Sequence, residues 1–252
     1  MDLNTIFLLG VSFFAGLVDA IAGGGGLLLL PALLTSGVPP HIALGTNKLA
    51  ATFGSFTASR ICIIKGIVQP RFWLLMIFST LNGAFLGALT AWLLSPEILK
   101  KGLSVLIFGA ATYVLLMRPQ HRNLSSHDLH KVPIKKSLIL GNFLGFYDGI
   151  AGPGVGSFWT MANATFFELN LVDASCLARL MNFMSNFVAL VTFLVVGNVD
   201  IILGLTLGTT LMLGAYLGAH SALKYGAPLI RPLFLAMFSL LGIRLIYQVF
   251  FN

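Results

Sequence analysis

The chain has 252 residues, of which 57% are hydrophobic and only 9% charged, and its mean hydropathy is +0.93. A soluble domain carries about 25% charged residues, so this chain has too little polar surface to coat a soluble globule. Its net charge of +7 comes from basic residues that flank apolar runs. Cytoplasmic loops beside anionic lipid look like this; nucleic acid needs a clustered basic face.

The apolar runs are continuous and do not alternate with polar residues. This argues against a β-barrel and predicts an all-α polytopic membrane protein. The first apolar piece covers residues 5–22 and ends in "GLVDAIAGGGG", where Asp19 precedes Gly23, Gly24, Gly25 and Gly26. Ile6 to Val18, with Ala20-Ile21-Ala22 behind it, imitates a signal peptide, but the residues ahead of it carry Asp2 and no basic group. A short apolar piece follows at 26–36, then longer segments at 43–64, 71–94 and 98–117. The stretch 118–136 is polar and reads as a linker. The same order then returns: 137–151, a break from Gly152 to Gly156, 155–168, and longer segments at 174–196, 200–222 and 229–250. Pro39-Pro40, Pro70, Pro96, Pro119, Pro133 and Pro228 mark the breaks.

The return is visible residue by residue. "GLVDAIAGGG" at Gly16 comes back as "GFYDGIAGPG" at Gly145, so that Asp19 aligns with Asp148 at an offset of 129. Further on, Lys48-Leu49 aligns with Arg179-Leu180 at an offset of 131, and "GAFLGA" at Gly83 with "GAYLGA" at Gly214. Residues 1–117 are expected to form a first membrane repeat, 118–136 a cytoplasmic linker and 137–252 a second membrane repeat. An element that recurs inside the chain is not a disposable signal peptide.

The eleven residues 26–36 would cover about 17 Å as a helix, against a hydrocarbon core of about 30 Å. Either the two pieces around the glycines make one broken spanning helix, or they form a re-entrant hairpin. The hairpin reading gives three crossings per repeat and inverted repeats. It puts Lys65, Arg71, Arg118, Arg122, Lys131, Lys135, Lys136, Lys224 and Arg231 on one side and Lys100 and Lys101 on the other, nine against two. The broken-helix reading moves Lys224 and Arg231 across, for seven against four. Positive-inside bias favours the hairpin, with the linker in the cytoplasm and both termini outside.

Charges at membrane depth cost on the order of 2.5–3.5 kcal/mol each on insertion scales, so those present are informative. Each repeat places an acid before its glycine break, Asp19 or Asp148, and a base near the start of its next long helix, Lys48 or Arg179. Asn47 precedes Lys48; Asn182 and Asn186 follow Arg179 at helical spacing, and Ser55 aligns with Asn186. One reading is structural: the acids neutralise the bases across helices, or cap the second half-helix. The other is functional. Broken helices in paired positions of two repeats point to a transporter site, and helix N-termini with nearby cations attract an anion. In that reading Lys48, Arg179, Asn47, Asn182, Asn186, Gly23, Gly24, Gly25, Gly152 and Gly154 bind the anion. Asp19 and Asp148 then pair with the empty cations or carry a coupling proton.

Cys62 and Cys176 both lie in apolar stretches and read as separate small buried side chains, because a disulfide framework or metal site calls for more or clustered cysteines. His121, His127 and His130 fall in the linker and read as solvated. "GAFLGA" and "GAYLGA" suit close helix packing. "GGGG" lacks the Lys-Ser/Thr of a phosphate loop, and no HExxH or CxxC spacing occurs. No catalytic residue, metal or cofactor is expected, and the chain is not read as an enzyme.

The glycine break "DAIAGGGG", "GTNK" at Gly45, "DGIAGPGVG" and "RLMNFMSN" together resemble the TauE/SafE family of sulfite exporter-like membrane permeases, over both halves, and within it the YfcA-like bacterial branch. The resemblance implies a multi-pass permease of the bacterial inner membrane that exports sulfite or related organosulfur anions. Combined with the residues above, it predicts a secondary transporter of small anions working by alternating access between two repeats. A passive anion channel is the alternative, and an intramembrane enzyme a more distant one. The expected partners are a small anion and the lipid bilayer, with no nucleic acid; a homodimer is an open assembly state.

Overall fold

The structure, a computed structural model, describes residues 3–116 and 133–225. No strand occurs among them. The helices in chain order are α1 (Leu3–Ala22), α2 (Gly26–Thr35), α3 (Pro40–Ile64), α4 (Leu74–Leu93), α5 (Pro96–Leu116), α6 (Ile134–Ile150), α7 (Val155–Phe166), α8 (Leu171–Val195) and α9 (Ile201–Tyr225). Local chemistry sets these boundaries. α3 and α5 open at prolines, which supply no N–H and suit a first helical turn. α8 opens on Asn170, whose side chain accepts the Asp173 N–H at 2.9 Å. The glycine breaks fall between α1 and α2 and between α6 and α7, where Gly23 (φ +83°) and Gly152 (φ +85°) take the left-handed turn that a side chain would oppose.

α1, α4, α8 and α9 are long and apolar enough to cross a membrane. α3 has the length but carries Lys48 and Arg60. The expected crossing at 229–250 lies outside the described residues, as do most of the linker and its histidines. Arg60 and Lys65 are exposed near the end of α3, as long basic chains at an interface would be.

Small residues decide which helices touch. On α4, Gly83 lies against the backbone of Asn142 and Gly87 against Phe146 and Ile150 of α6; on α9, Gly214 lies against Phe13 and Gly218 against Leu17 of α1. The two "GA-x-LGA" motifs therefore hold α4 on α6 and α9 on α1, as their sequence suggested. The pairs also fix direction. Residues rise together along α1 and α9, from Phe13 on Gly214 to Leu17 on Gly218, and along α4 and α6, from Met76 on Gly141 to Ala84 on Gly149. α3 likewise runs with α9, from Leu49 on Gly204 to Gly54 beside Leu211 and Ala215. α3 and α8 run oppositely: Lys48 meets Asn186, Phe56 meets Phe183, and Cys62 meets Cys176.

That last contact is a correction. Cys62 and Cys176 are not separate thiols; they form a disulfide with Cα atoms 5.6 Å apart. Both are buried. They meet because the end of α3 crosses the beginning of α8, which a sequence separation of 114 does not announce.

Candidate functional site

The two glycine breaks touch each other in the interior of the described residues. A Cβ on Gly23 would strike the backbone of Gly156 and lie 2.5 Å from the Ser157 nitrogen, and Gly26 faces Pro153. Ser157 Oγ donates to the Ala22 carbonyl at 2.6 Å, tying the start of α7 to the end of α1. Around this crossing lies a narrow cleft. Its charged and amide walls are Asp19, Asn47, Lys48, Asp148, Asn182 and Asn186, and its backbone walls include Gly23, Gly25, Gly26 and Gly152.

Lys48 and Arg179 occupy matching places, each the ninth residue of a helix of 25 residues. Both are deeper in their helices than the sequence suggested, because α3 extends back to Pro40 and α8 to Leu171. Lys48 is fully buried and ion-paired to Asp148 Oδ1 at 2.6 Å. It also donates to the Asp148 carbonyl and to Asn186 Oδ1 at 3.1 Å. Its three N–H groups are thus matched by three acceptors. The second oxygen of Asp148 accepts from Ser185 Oγ.

Arg179 and Asp19 form the other acid–base combination, with a different geometry. No ion pair within 4.0 Å joins them among the described residues. Asp19 Oδ1 accepts the Gly25 N–H at 3.0 Å, and Oδ2 faces Asn182 Nδ2 at 3.4 Å. Asp19 therefore caps the turn into α2, one of its structural expectations. Arg179 is 2% exposed. Its Nη2 donates to Ser175 Oγ at 3.1 Å, while Nε and Nη1 have no partner among the described residues. A Cβ on Gly156 would lie 2.9 Å from Arg179 Nη1. The guanidinium thus sits at the first turn of α7, behind the cleft wall and not in it.

An amide chain connects the two combinations. Asn186 Nδ2 donates to Asn182 Oδ1 at 2.9 Å; Asn186 receives Lys48, and Asn182 reaches Asp19. Asn47 lines the cleft with Oδ1 unpartnered. Gly24 is buried within the break, and Gly154 faces Ala110 and Leu27 and does not itself line the cleft. Ser55 bonds to the carbonyl of Ala51 on its own helix and takes no part. Sequence reasoning did not single out Ser185, Ser175 or Trp159. Ser185 stands next to Asn186 in "MNFMSN", which was a usable signal. Trp159 is fully buried with its Nε1 unpartnered, and nothing in the sequence announced that. No group of three metal-ligating side chains occurs among the described residues.

Chemically, the centre combines one saturated cation with one whose donors are largely free. An unpaired buried guanidinium is costly, and it lies at a helix start where N–H groups favour negative charge.

The family model described as "Sulfite exporter TauE/SafE" matches residues 8–245. The chain is 38% identical over 240 residues to the Sinorhizobium protein "Probable membrane transporter protein ORF9", covering 95% of this chain and 91% of that one. It is 36% identical over 245 residues to "Probable membrane transporter protein YfcA" of Escherichia coli K12, covering 96% and 90%. To a "Probable membrane transporter protein" of Haemophilus influenzae it is 38% identical over 249 residues, covering 98% and 96%. No solved structure matches. With the match spanning both glycine breaks and both buried cations, the chain belongs to the TauE/SafE family of membrane transporter proteins.

Proposed function

We propose that this protein is a secondary transporter that moves small sulfur-containing oxyanions, sulfite or organosulfonates, out across the bacterial inner membrane. It does so by alternating access between two inverted repeats. The carrying observation is Arg179: a buried guanidinium with Nε and Nη1 unpartnered among the described residues, placed at the first turn of α7 beside the crossing of the two breaks. The anion accepts from backbone N–H groups exposed by the breaks, and from Arg179 once the cleft wall at Gly156 moves aside. Asn47, Asn182 and Asn186 orient it, and Lys48 adds its positive charge from within the ion pair with Asp148. The family's description supports the substrate class.

The run of the helices supports the topology. α1 and α3 both run with α9, so the chain between them turns back, as a re-entrant hairpin does and a single broken crossing does not. α3 and α8, which carry the two bases, are antiparallel, as inverted copies require. The linker then lies in the cytoplasm and both termini in the periplasm.

The test is flux of sulfite, methanesulfonate and thiosulfate in liposomes containing the purified protein. A carrier saturates and shows counterflow exchange; a channel shows neither. Hydrogen bonds to a charged group contribute about 1.5–3 kcal/mol, so Arg179→Ala is expected to weaken anion affinity by roughly ten- to a hundredfold. Unchanged flux in Arg179→Ala and Lys48→Ala would remove both from the site.

A further inference from the structure

The two acid–base combinations are built differently, and the difference assigns them different tasks. Asp148 is locked: Lys48 holds one of its oxygens at 2.6 Å and its carbonyl as well, and Ser185 holds the other oxygen. A proton could reach Asp148 only by breaking that lock and leaving Lys48 buried without its counter-charge. Asp19 is not locked. It lines the cleft and is 8% exposed. It accepts one backbone N–H and one long amide contact, and no cation touches it among the described residues.

Charge balance then sets what must happen when an anion arrives. Lys48, Arg179, Asp19 and Asp148 are the charged groups of the centre, and they sum to zero. An anion on Arg179 adds a negative charge in a region that tolerates none cheaply. The charges acting on Asp19 are Arg179 from α8, Asp148 from α6 and Lys48 from α3. α2 and α7 contain no titratable side chain. Those of α9 (Tyr216, His220, Lys224 and Tyr225) are exposed.

Accepting the anion-transport reading above, we propose that Asp19 takes up the coupling proton and Asp148 does not. The Asp19 carboxylate accepts one proton from water in the cleft and becomes the neutral acid. This removes the negative charge nearest in effect to Arg179 and restores neutrality once one anion is bound. Oδ1 can still accept the Gly25 N–H, so the turn into α2 survives protonation. The contact that protonation of Oδ2 disturbs is the one to Asn182, which leads through Asn186 to Lys48. Anion and proton therefore move in the same direction, so export is driven by the outward anion gradient and not by the proton gradient.

The experiment uses the full chain in liposomes with sulfite, methanesulfonate and thiosulfate as probes. Counterflow exchange at equal pH needs no net proton movement. Accumulation driven by a pH gradient, with a trapped pH dye, does. Wild type is expected to show both. Asp19→Asn is expected to keep exchange within about threefold and to lose gradient-driven accumulation and the accompanying dye signal; Asp19→Glu is expected to restore them. Comparison with the variant cancels any proton carried by the anion itself. Gradient-driven accumulation that persists in a folded Asp19→Asn overturns the proposal and leaves the transport reading intact. A folded Asp19→Asn without exchange also overturns it, by making Asp19 part of anion movement itself. Absence of exchange in wild type for all three probes overturns the transport reading instead. If Asp19→Asn does not elute as a single species, binding to wild type decides. One coupled proton weakens affinity for methanesulfonate or thiosulfate by about tenfold per pH unit above the titration of its carrier, and a pH-independent affinity overturns the proposal.

Discussion

At the scale of single residues, Lys48 and Asp148 are the group whose loss the fold should feel most. Both are about 1% exposed at the side chain and in direct contact. Removing one partner of a buried ion pair strands the other and typically costs about 3–5 kcal/mol. Lys48→Ala and Asp148→Ala are each expected to lower stability on this scale in an SDS-titration of purified protein. Lys48→Met with Asp148→Leu should cost less than the sum of the single changes, because no charge is left stranded. Equal and additive losses would show that the pair is not coupled. Arg179 predicts the opposite balance. With two of its nitrogens unpartnered, it contributes little to holding helices together, so Arg179→Gln should weaken anion binding about tenfold or more while leaving stability close to wild type. The sequence told which residue types gather at the breaks, since charges stand out in an apolar chain. It did not tell that Lys48 reaches across 100 residues to Asp148 while Arg179 stays open. That choice depends on the crossing of α3 with α8 and on Ser185, whose place beside Asn186 marks it as polar but does not say which acid it meets.

At the scale of elements, helix limits were legible because proline and glycine act locally. Expected segments 5–22, 26–36 and 43–64 became Leu3–Ala22, Gly26–Thr35 and Pro40–Ile64. Partners of helices were legible only where small residues made a motif. Gly87 sits against α6 so closely that a Cβ would press on the Phe146 carbonyl and lie 2.9 Å from the Ile150 nitrogen. Overpacking against side chains costs about 1–3 kcal/mol, and a backbone cannot rotate out of the way. Gly87→Leu and Gly214→Leu should therefore lower the melting temperature by several degrees or prevent assembly. Gly102→Leu, where nothing lies within 4 Å, should leave it unchanged. The disulfide adds an element-level check. In unfolded protein prepared without reductant, neither Cys62 nor Cys176 should take up maleimide; reduction should expose both. Labelling without reduction would mean that α3 and α8 are not cross-linked in the membrane.

At the scale of the whole molecule, packing exchanges partners between the halves. α1 lies on α9 and α6 on α4, α3 packs on α9 as α8 does on α4, and α3 and α8 cross each other. Exchanging α1 with α6, α3 with α8 and α4 with α9 leaves this pattern unchanged, as the proposed pair of repeats requires. The consequence for topology can be tested without knowing the substrate. α2 has 10 residues, about 15 Å of helix, so a hairpin with α1 must turn about halfway through a hydrocarbon core of about 30 Å. If α1 and α2 form a hairpin, Leu3 and Ser36 face the same side of the membrane; if they form one broken crossing, they face opposite sides. By the same logic Lys135 and Glu168 share the other side. Single cysteines at these four positions, in a variant with Cys62→Ala and Cys176→Ala, can be challenged with an impermeant maleimide in right-side-out vesicles. Labelling of Leu3→Cys and Ser36→Cys from outside, with Lys135→Cys and Glu168→Cys protected until the membrane is opened, is the expected result. Leu3→Cys and Ser36→Cys on opposite sides would make the repeats parallel. α1 and α3 would then have to run oppositely, against the shared direction that both keep with α9.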